Sequence, residues 1–205
     1  HSATASSLTL TVDGTAVSLG SHTLTAGKIY SQKLHNINGA TPYIQNNEKW
    51  IVYGTGEPSV WRLRIAEGAT VTLHNVNLNN DAIIAYLGNN TIILADGTTN
   101  TIDPGNGVAI DGTMADDKTL TIKGTGTLIA TGGYGAPAIG VENPDYPCGA
   151  ITIESTVHLT ATAGEDQSKA ITTGSGGGTV TIGGVVYAGG ADSPFVYPAP
   201  AYKRS

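Results

Sequence analysis

The sequence has few charged residues, a single cysteine and no long hydrophobic run. Charged residues make up 13% of its 205 residues, about half the share found in an average globular domain. Hydrophobic residues still account for 40% of the chain, so it has enough apolar surface to form a core and is not disordered through charge repulsion. No hydrophobic run approaches the roughly 20 residues of a membrane-spanning helix. We therefore expect a folded chain that does not insert into a membrane.

Basic residues are the scarcer charged type. The sequence contains 10 Lys and Arg against 16 Asp and Glu, a net charge of −6. Because nucleic-acid binding needs clustered basic residues to neutralise phosphates, this balance argues against a nucleic-acid partner. No basic amphipathic stretch indicates attachment to a membrane surface either.

One cysteine and scattered histidines give little basis for a metal site. Cys148 alone excludes an internal disulfide framework and a cysteine-based zinc site. The five histidines include no closely spaced pair, so no metal ligands are predicted. Calcium held by turn carboxylates at Asp116, Asp117 or Asp145 is left as an alternative, because calcium prefers oxygen ligands. The first residues lack the basic start and apolar run of a signal peptide, which indicates a mature or excised fragment.

The abundant residues favour β structure, and a strand pattern repeats along the chain. Glycine occurs 28 times, and with Thr, Ala, Val and Ile it gives a composition typical of short strands separated by turns. After each repeated strand come a second strand and a third short apolar segment. Three strands per repeat predict one rung of a three-sided solenoid, whose inward aliphatic side chains stack on the next rung. The repeated strands are Val71-Thr72-Leu73, Ile92-Ile93-Leu94, Leu120-Thr121-Ile122, Ile151-Thr152-Ile153 and Val180-Thr181-Ile182.

Antiparallel hairpins are the alternative architecture, because glycine-rich links also serve hairpins. The recurrence of a whole three-strand unit favours parallel stacking. The predicted organisation has antiparallel β strands and a cap at residues 1–67, a parallel β-helix at 68–190 and an extended, proline-containing tail at 191–205. A cap is expected because an uncovered end of stacked strands would promote aggregation.

Two parts of the chain resemble bacterial surface proteins. Residues 93–101, 124–128, 130–133, 137–140 and 148–153 are similar to the Gly- and Thr-rich right-handed β-helix repeats of gut Bacteroidetes proteins of the carbohydrate-binding-domain type. Residues 154–157 depart from those repeats, which have a Gly-Gly turn at this point. Residues 8–14 and 24–30 resemble the closing strands of a fimbrillin-like domain.

The resemblance implies both a fold and a function. The implied fold is all-β, a right-handed parallel β-helix with three short strands per rung. The implied protein is an extracellular or cell-surface adhesin, or a fimbria-associated module of the outer membrane. Its partners would be a glycan or host-matrix ligand and pilus or surface-protein subunits. A purely structural spacer of a surface fibre is a further alternative.

Catalysis is not predicted, although β-helices also carry polysaccharide lyases and hydrolases. Glycoside hydrolysis requires two carboxylates about 5 to 9.5 Å apart across a cleft. The adjacent acidic pairs, Asp116-Asp117 and Glu165-Asp166, fall in polar loops where solvated turn carboxylates are the simpler interpretation. The three arginines lie outside the central rungs, so a basic residue beside the acids is missing. A polysaccharide-degrading enzyme is therefore kept as the alternative to a binding module.

Exposed aromatic side chains are the best candidates for ligand binding. A sugar stacks its apolar face on an aromatic ring while nearby polar groups bind its hydroxyls. Tyr134 and Tyr146, with Asn143 and Asp145, occupy the longest loops between strands, where functional residues concentrate. A second candidate group consists of Trp50, Tyr53 and Trp61. For the two tryptophans, packing into the cap is the favoured interpretation.

Threonine pairs raise a third functional class. Thr160-Ala161-Thr162 and Thr179-Val180-Thr181 have the Thr-X-Thr pattern that can order water on a flat sheet, as in ice-binding proteins. The repeats differ in length, so we expect their threonines not to align in two dimensions.

Overall fold

The computed structural model describes the backbone of residues 2–12, 15–25, 33–80, 84–112, 118–143, 145–146, 148–166, 169–174, 178–183, 185–190, 193–197 and 202–203. Side chains are described for the parts of these ranges between residues 33 and 183. The regular structure of the described residues is entirely β, with no helix. A helix long and apolar enough to cross a membrane is accordingly not found among them.

The strands are short except for the first two. In chain order they are β1 (Ser2–Val12), β2 (Thr15–Thr25), β3 (Lys33–Asn36), β4 (Tyr43–Ile44), β5 (Lys49–Tyr53), β6 (Leu63–Ile65), β7 (Thr70–His74), β8 (Asn77–Asn79), β9 (Ile84–Tyr86), β10 (Asn90–Leu94), β11 (Thr99–Asp103), β12 (Ile110–Asp111), β13 (Leu120–Gly124), β14 (Thr127–Thr131), β15 (Ile139–Gly140), β16 (Ile151–Ile153), β17 (His158–Thr162), β18 (Ile171–Thr172), β19 (Val180–Ile182), β20 (Val185–Gly190), β21 (Ser193–Tyr197) and β22 (Tyr202–Lys203).

Three sheets of parallel strands form most of the structure. Sheet I has the order β22-β19-β16-β13-β10-β7-β5-β3, sheet II the order β21-β20-β17-β14-β11-β8, and sheet III the order β18-β15-β12-β9-β6-β4. From β7 to β20 the chain visits sheets I, II and III in turn, and one such pass is called a rung here. β1 and β2 form a separate antiparallel hairpin.

The repeated strands pair in parallel, as the repeat predicts. Ile92 lies opposite Val71 and Ile122, and Leu120 lies opposite Ile151. The antiparallel alternative is therefore wrong for these strands. Antiparallel pairing occurs in β1–β2 and where the terminal strands β22 and β21 join β19 and β20.

The core lies on the inward side of the three sheets. In β10 burial alternates residue by residue, because successive side chains of a strand point to opposite faces. The inward aliphatic residues of successive strands align into columns that are closed to solvent, and each fully buried side chain contributes about 1.5–3 kcal/mol relative to exposure. One such column is Val71, Ile92, Ile122 and Ile153.

Two buried asparagines explain an error in the predicted register. The sequence pattern aligns Ile92 with Leu120, whereas in the structure Asn90 occupies the position opposite Leu120. Asn90 points inward because its amide Nδ2 donates to the carbonyl of Ala69 at 3.2 Å and its Oδ1 accepts from the backbone N–H of Gly88 at 3.0 Å. Asn100 likewise lies opposite Leu128 in the core. A search for apolar triplets misses these polar but inward positions.

A tyrosine fills a gap in the core of sheet III. Asp111 pairs with Ala85, so the next residue, Gly112, lies beside Tyr86 on the neighbouring strand. A Cβ atom at Gly112 would lie 2.3 Å from the Tyr86 hydroxyl. The ring of Tyr86 thus uses the space that a side chain at Gly112 would occupy. Its hydroxyl is buried and makes no hydrogen bond of normal geometry among the described residues, and its polar neighbour is the thiol of Cys148. Burial raises the pKa of both Tyr86 and Cys148, so both groups are neutral at physiological pH.

The parallel sheets begin earlier than the sequence indicates. β3 pairs in parallel with β5, β5 with β7, and β4 with β6. The expected antiparallel strands therefore end with β2, and the stretch 33–67 belongs to sheets I and III. The repeat is difficult to recognise in this stretch because none of the strands described in residues 33–67 belongs to sheet II, where a bridge from Ser59 to Leu78 takes the place of a strand. The incomplete rungs hide the repeat.

Candidate functional site

The loop that carries Tyr134 lies at the corner between sheets II and III. It joins β14 to β15, and its backbone is held by the loops of the two neighbouring rungs. The N–H of Gly133 donates to the carbonyl of Gly107 at 2.8 Å, and the N–H of Gly135 donates to the carbonyl of Glu165 at 2.8 Å. Gly133 must be glycine, because a Cβ atom would lie 2.3 Å from the backbone of Asn106. Stacked loops thus fix the backbone on both sides of Tyr134.

The ring of Tyr134 is exposed but held in place. Its side chain is 66% exposed, and its hydroxyl donates to Oδ2 of Asp166 at 2.6 Å. This hydrogen bond raises the pKa of Tyr134, because losing the proton would place an anion beside a carboxylate. Asp166 has a left-handed φ of 62°, a conformation that Asp tolerates better than most residues. The result is an aromatic face that is open to solvent and anchored at its hydroxyl.

Tyr146 forms a second exposed ring at a different corner. It is 56% exposed and lies in the loop between β15 and β16, where the chain passes from sheet III to sheet I. The side-chain oxygen of Asn143 accepts from the N–H of Asp145 at 2.9 Å, and the carbonyl of Asn143 accepts from the N–H of Tyr146 at 3.1 Å. This is the local turn that asparagine favours. Asn143 therefore shapes the loop, while Tyr134 and Tyr146 lie at opposite ends of β15 and form two separate sites.

The two aromatic residues of β5, Trp50 and Tyr53, mainly pack within the protein. Tyr53 is only 4% exposed and packs with Ile51 and Leu34, so its candidacy as a stacking residue is wrong. Trp50 is half-buried against the core, and its Nε1 donates to Oε2 of Glu48 at 2.8 Å. Trp50 therefore has a packing role, in agreement with the interpretation that the sequence favours.

Glu48 links these rings to a lysine. Lys33 donates to Glu48 and also lies 5.4 Å from the centre of the Trp50 ring. Hydrogen bonds from Lys33 and then Trp50 lower the pKa of Glu48 below its usual value. The Trp50 ring is therefore covered by a cation from its own chain, which leaves little room for a ligand.

A groove on the outer face of sheet III was not predicted from the sequence. Tyr43 in β4 lies opposite Arg64 in β6, and Tyr43 is 45% exposed. The groove has a volume of about 430 Å³, within the range of small-molecule sites. Trp61, at 40% exposed, lies on the same chain segment just before β6. The lining residues are Thr41, Tyr43, Arg62, Arg64 and Leu87.

The carboxylates do not form a metal cluster in the described part of the chain. No group of three or more His, Cys, Asp or Glu side chains is close enough there to bind a metal ion. Asp116 and Asp117 lie outside the described residues, so calcium binding at this loop stays a prediction. The buried His74 has its pKa lowered by desolvation, which keeps its ring neutral.

Threonines align in spite of the unequal repeats. On sheet I the outward threonines lie in register from strand to strand, because the loops absorb the differences in length. Alignment in two dimensions, which the unequal repeats are expected to prevent, would need a second row of threonines beside this one, and the described part of sheet I does not have it. The next outward positions on this sheet are Thr72, Ile93 and Lys123, so the hydroxyls form a single row and not a two-dimensional array. The row is Thr70, Thr91, Thr121, Thr152 and Thr181.

The chain matches no protein-family model, no curated protein and no solved structure. Its candidate sites are therefore defined by their own geometry: the exposed ring of Tyr134 with Asp166, the exposed ring of Tyr146, and the groove beside Tyr43 and Arg64.

Proposed function

We propose that the chain is a right-handed parallel β-helix module of a cell-surface adhesin, and that it binds glycans without cleaving them. The observation that carries the proposal is the Tyr134 ring, which is exposed on its face and fixed at its hydroxyl by Asp166. Its surface location and its assembly with pilus or surface-protein subunits rest on the resemblance to Bacteroidetes surface proteins.

A fixed aromatic ring suits sugar binding for an energetic reason. Ordering a mobile side chain on binding costs about 0.5–1.5 kcal/mol. Tyr134 avoids much of this cost, because Asp166 and the stacked loops hold it before a ligand arrives. The ring face would contact the C–H groups of a sugar. The carboxylates of Asp166 and Glu165 would accept hydrogen bonds from its hydroxyls.

The architecture supports a module that varies its loops while keeping its sheets. The successive passes through sheets I, II and III suit a β-helix, in which the strands form a rigid scaffold. Loops at the corners change length between rungs without shifting the paired strands. Binding residues commonly occupy loops on such scaffolds, and Tyr134 and Tyr146 lie in two of them.

The proposal is tested by screening the protein on a glycan array and titrating the best ligand against variants. We expect Tyr134→Ala to weaken binding about tenfold, equivalent to about 1.4 kcal/mol. Tyr134→Phe keeps the ring but loses its anchor, so its loss is expected to be smaller. Val60→Ala is the control, since it removes an exposed apolar side chain that belongs to neither candidate site.

Three outcomes would contradict the proposal. Binding that survives in the Tyr134→Ala/Tyr146→Ala double variant would remove the tyrosines from the site. Release of oligosaccharides from the bound polymer, followed by chromatography, would favour the polysaccharide-degrading alternative. An array without any bound glycan would favour the structural spacer.

A further inference from the structure

We infer that the groove beside Tyr43 and Arg64 binds an acidic polysaccharide, with a hexuronate residue stacked on Tyr43 and its carboxylate held by Arg64. This inference deepens the proposed glycan binding by naming a ligand class. It uses a different sheet and different residues from the Tyr134 site, so the two can fail separately.

Strand pairing places the ring and the guanidinium side by side. Tyr43 and Arg64 occupy directly opposed positions on neighbouring strands, which lie about 4.8 Å apart. Both residues are on the outward face, since their neighbours Ile44 and Ile65 are completely buried. The next outward residue across the sheet is Ala85, whose short side chain keeps the surface low beside Arg64. The groove is therefore bordered by an aromatic face and a cation, with an open path across the sheet.

The charges around the groove favour an anion. The chain has more acidic than basic residues overall, yet two of its three arginines line this one groove. Arg64 takes part in neither of the two ion pairs found between described residues, Lys33–Glu48 and Lys118–Glu67.

Two acids of the described residues, Glu67 and Asp111, lie in the rungs beside the groove. Glu67 accepts hydrogen bonds from the backbone and side chain of Asn89 and pairs with Lys118. Asp111 lies on the same outward row but two strands from Arg64, with Ala85 between them. Neither position gives Arg64 an adjacent carboxylate on its own or the neighbouring strand.

The chemistry of the lining matches a uronic acid better than a neutral sugar or a simple anion. A guanidinium binds a planar carboxylate through two parallel hydrogen bonds. The exposed ring of Tyr43 offers a face to the apolar side of a sugar ring. The hydroxyl of Thr41 supplies a further polar contact, and the half-buried Leu87 adds an apolar surface. A ligand with both a sugar ring and a carboxylate uses all of these groups.

The test is affinity electrophoresis in native gels that contain polygalacturonate or its methyl-esterified form. We expect retardation by the acid polymer and little by the ester, whose carboxylates are blocked. Arg64→Gln should raise the dissociation constant about tenfold or more. Arg64→Lys should recover only part of the affinity, because lysine cannot bind a carboxylate in the same two-point geometry. Tyr43→Ala should also weaken binding.

The control is Lys49→Gln, which removes one positive charge from an exposed position on sheet I. Its affinity should stay within about twofold of the unmodified protein, because exposed charges off the site act only weakly. An equal loss in Lys49→Gln and Arg64→Gln, or equal binding of dextran sulfate, would overturn the inference in favour of general polyanion binding. No retardation by polygalacturonate would overturn it outright.

Measuring Tyr134→Ala in the same gels distinguishes the failure of the groove inference from the failure of the proposed function. If Tyr134→Ala loses polygalacturonate affinity while Arg64→Gln keeps it, the groove inference fails and glycan binding through the loop stands. If Arg64→Gln alone loses affinity, the groove is supported and the Tyr134 site is not the one that binds this polymer.

Discussion

Gly126 offers a sharp test of how closely the rungs stack. It lies in the two-residue connection between β13 and β14, directly over the turn that follows β10. A Cβ atom at Gly126 would lie 2.3 Å from the backbone carbonyl oxygen of Ala95 in the neighbouring rung. Gly126 does not have a left-handed φ, so this contact alone opposes a side chain. We therefore predict that Gly126→Ala destabilises the protein.

The magnitude follows from the distance. Ordinary contacts of a Cβ atom begin near 3.4 Å, so the two turns would have to separate by about 1 Å. Both are backbone, and the carbonyl of Ala95 cannot rotate away as a side chain would. Inserting a methylene group into packed structure typically costs about 1–3 kcal/mol. Gly39→Ala is the matched control: it also lacks a left-handed φ, and its nearest contact is an ordinary 3.6 Å to the carbonyl of Asn36.

The two variants are compared by urea unfolding followed by circular dichroism. Without a clash, Gly→Ala usually stabilises a protein by about 0.4–1 kcal/mol, because it restricts the unfolded chain. We expect Gly39→Ala to be neutral or stabilising and Gly126→Ala to lower the free energy of unfolding by about 1–3 kcal/mol. Equal stability of the two variants would refute the close stacking of these turns.

Three further predictions concern polar groups. Asn100→Leu should lower the free energy of unfolding by about 1–3 kcal/mol, measured by urea unfolding, because Oδ1 of Asn100 accepts the buried N–H of Val76 at 3.0 Å; unchanged stability would show that this N–H is satisfied in another way. Tyr86→Phe should change it by no more than about 0.5 kcal/mol, the low end for a hydrogen bond, since the polar neighbour of the hydroxyl is the weakly hydrogen-bonding thiol of Cys148. Tyr86→Ala should cost about 3–5 kcal/mol; a large loss in Tyr86→Phe would contradict this weak interaction. The pKa of Glu48 lies below its usual 4.5 in the folded protein, so its stabilising effect is complete above that pH and is lost as the pH falls through the folded value. Glu48→Gln should therefore flatten the acid side of the stability–pH curve, and an identical curve would contradict the assigned hydrogen bonds.

Strand identity could be predicted from the sequence because inward side chains alternate with outward ones. Segments such as Leu120-Thr121-Ile122 carry that pattern, and each is a strand in sheet I. Register could not be predicted wherever an inward residue is polar. Asn90 is of a residue type typical of loops, but its amide binds the backbone of Gly88 beside it and of Ala69 in the neighbouring rung, and this places it in the core.

The candidate site was predictable only where it depends on local sequence. The exposure of Tyr134 and Tyr146 follows from their long glycine- and proline-rich loops. The hydrogen bond from Tyr134 to Asp166 joins residues 32 positions apart and depends on how two loops stack. The pairing of Tyr43 with Arg64 likewise exists only through the register of β4 and β6. Neither contact has a signal in a single sequence.

Parallel, in-register pairing on sheet I is tested most directly by cross-linking its threonine row. In a Cys148→Ala background, Thr121→Cys/Thr152→Cys places two cysteines on opposed positions of neighbouring strands, about 4.8 Å apart and within reach of a disulfide. Thr121→Cys/Thr181→Cys places them two strands apart, beyond that reach. Under mild oxidation, mass spectrometry should detect an intramolecular disulfide in the first variant and not in the second. The reverse result, or no disulfide in either, would contradict the stacking on which both proposed sites depend.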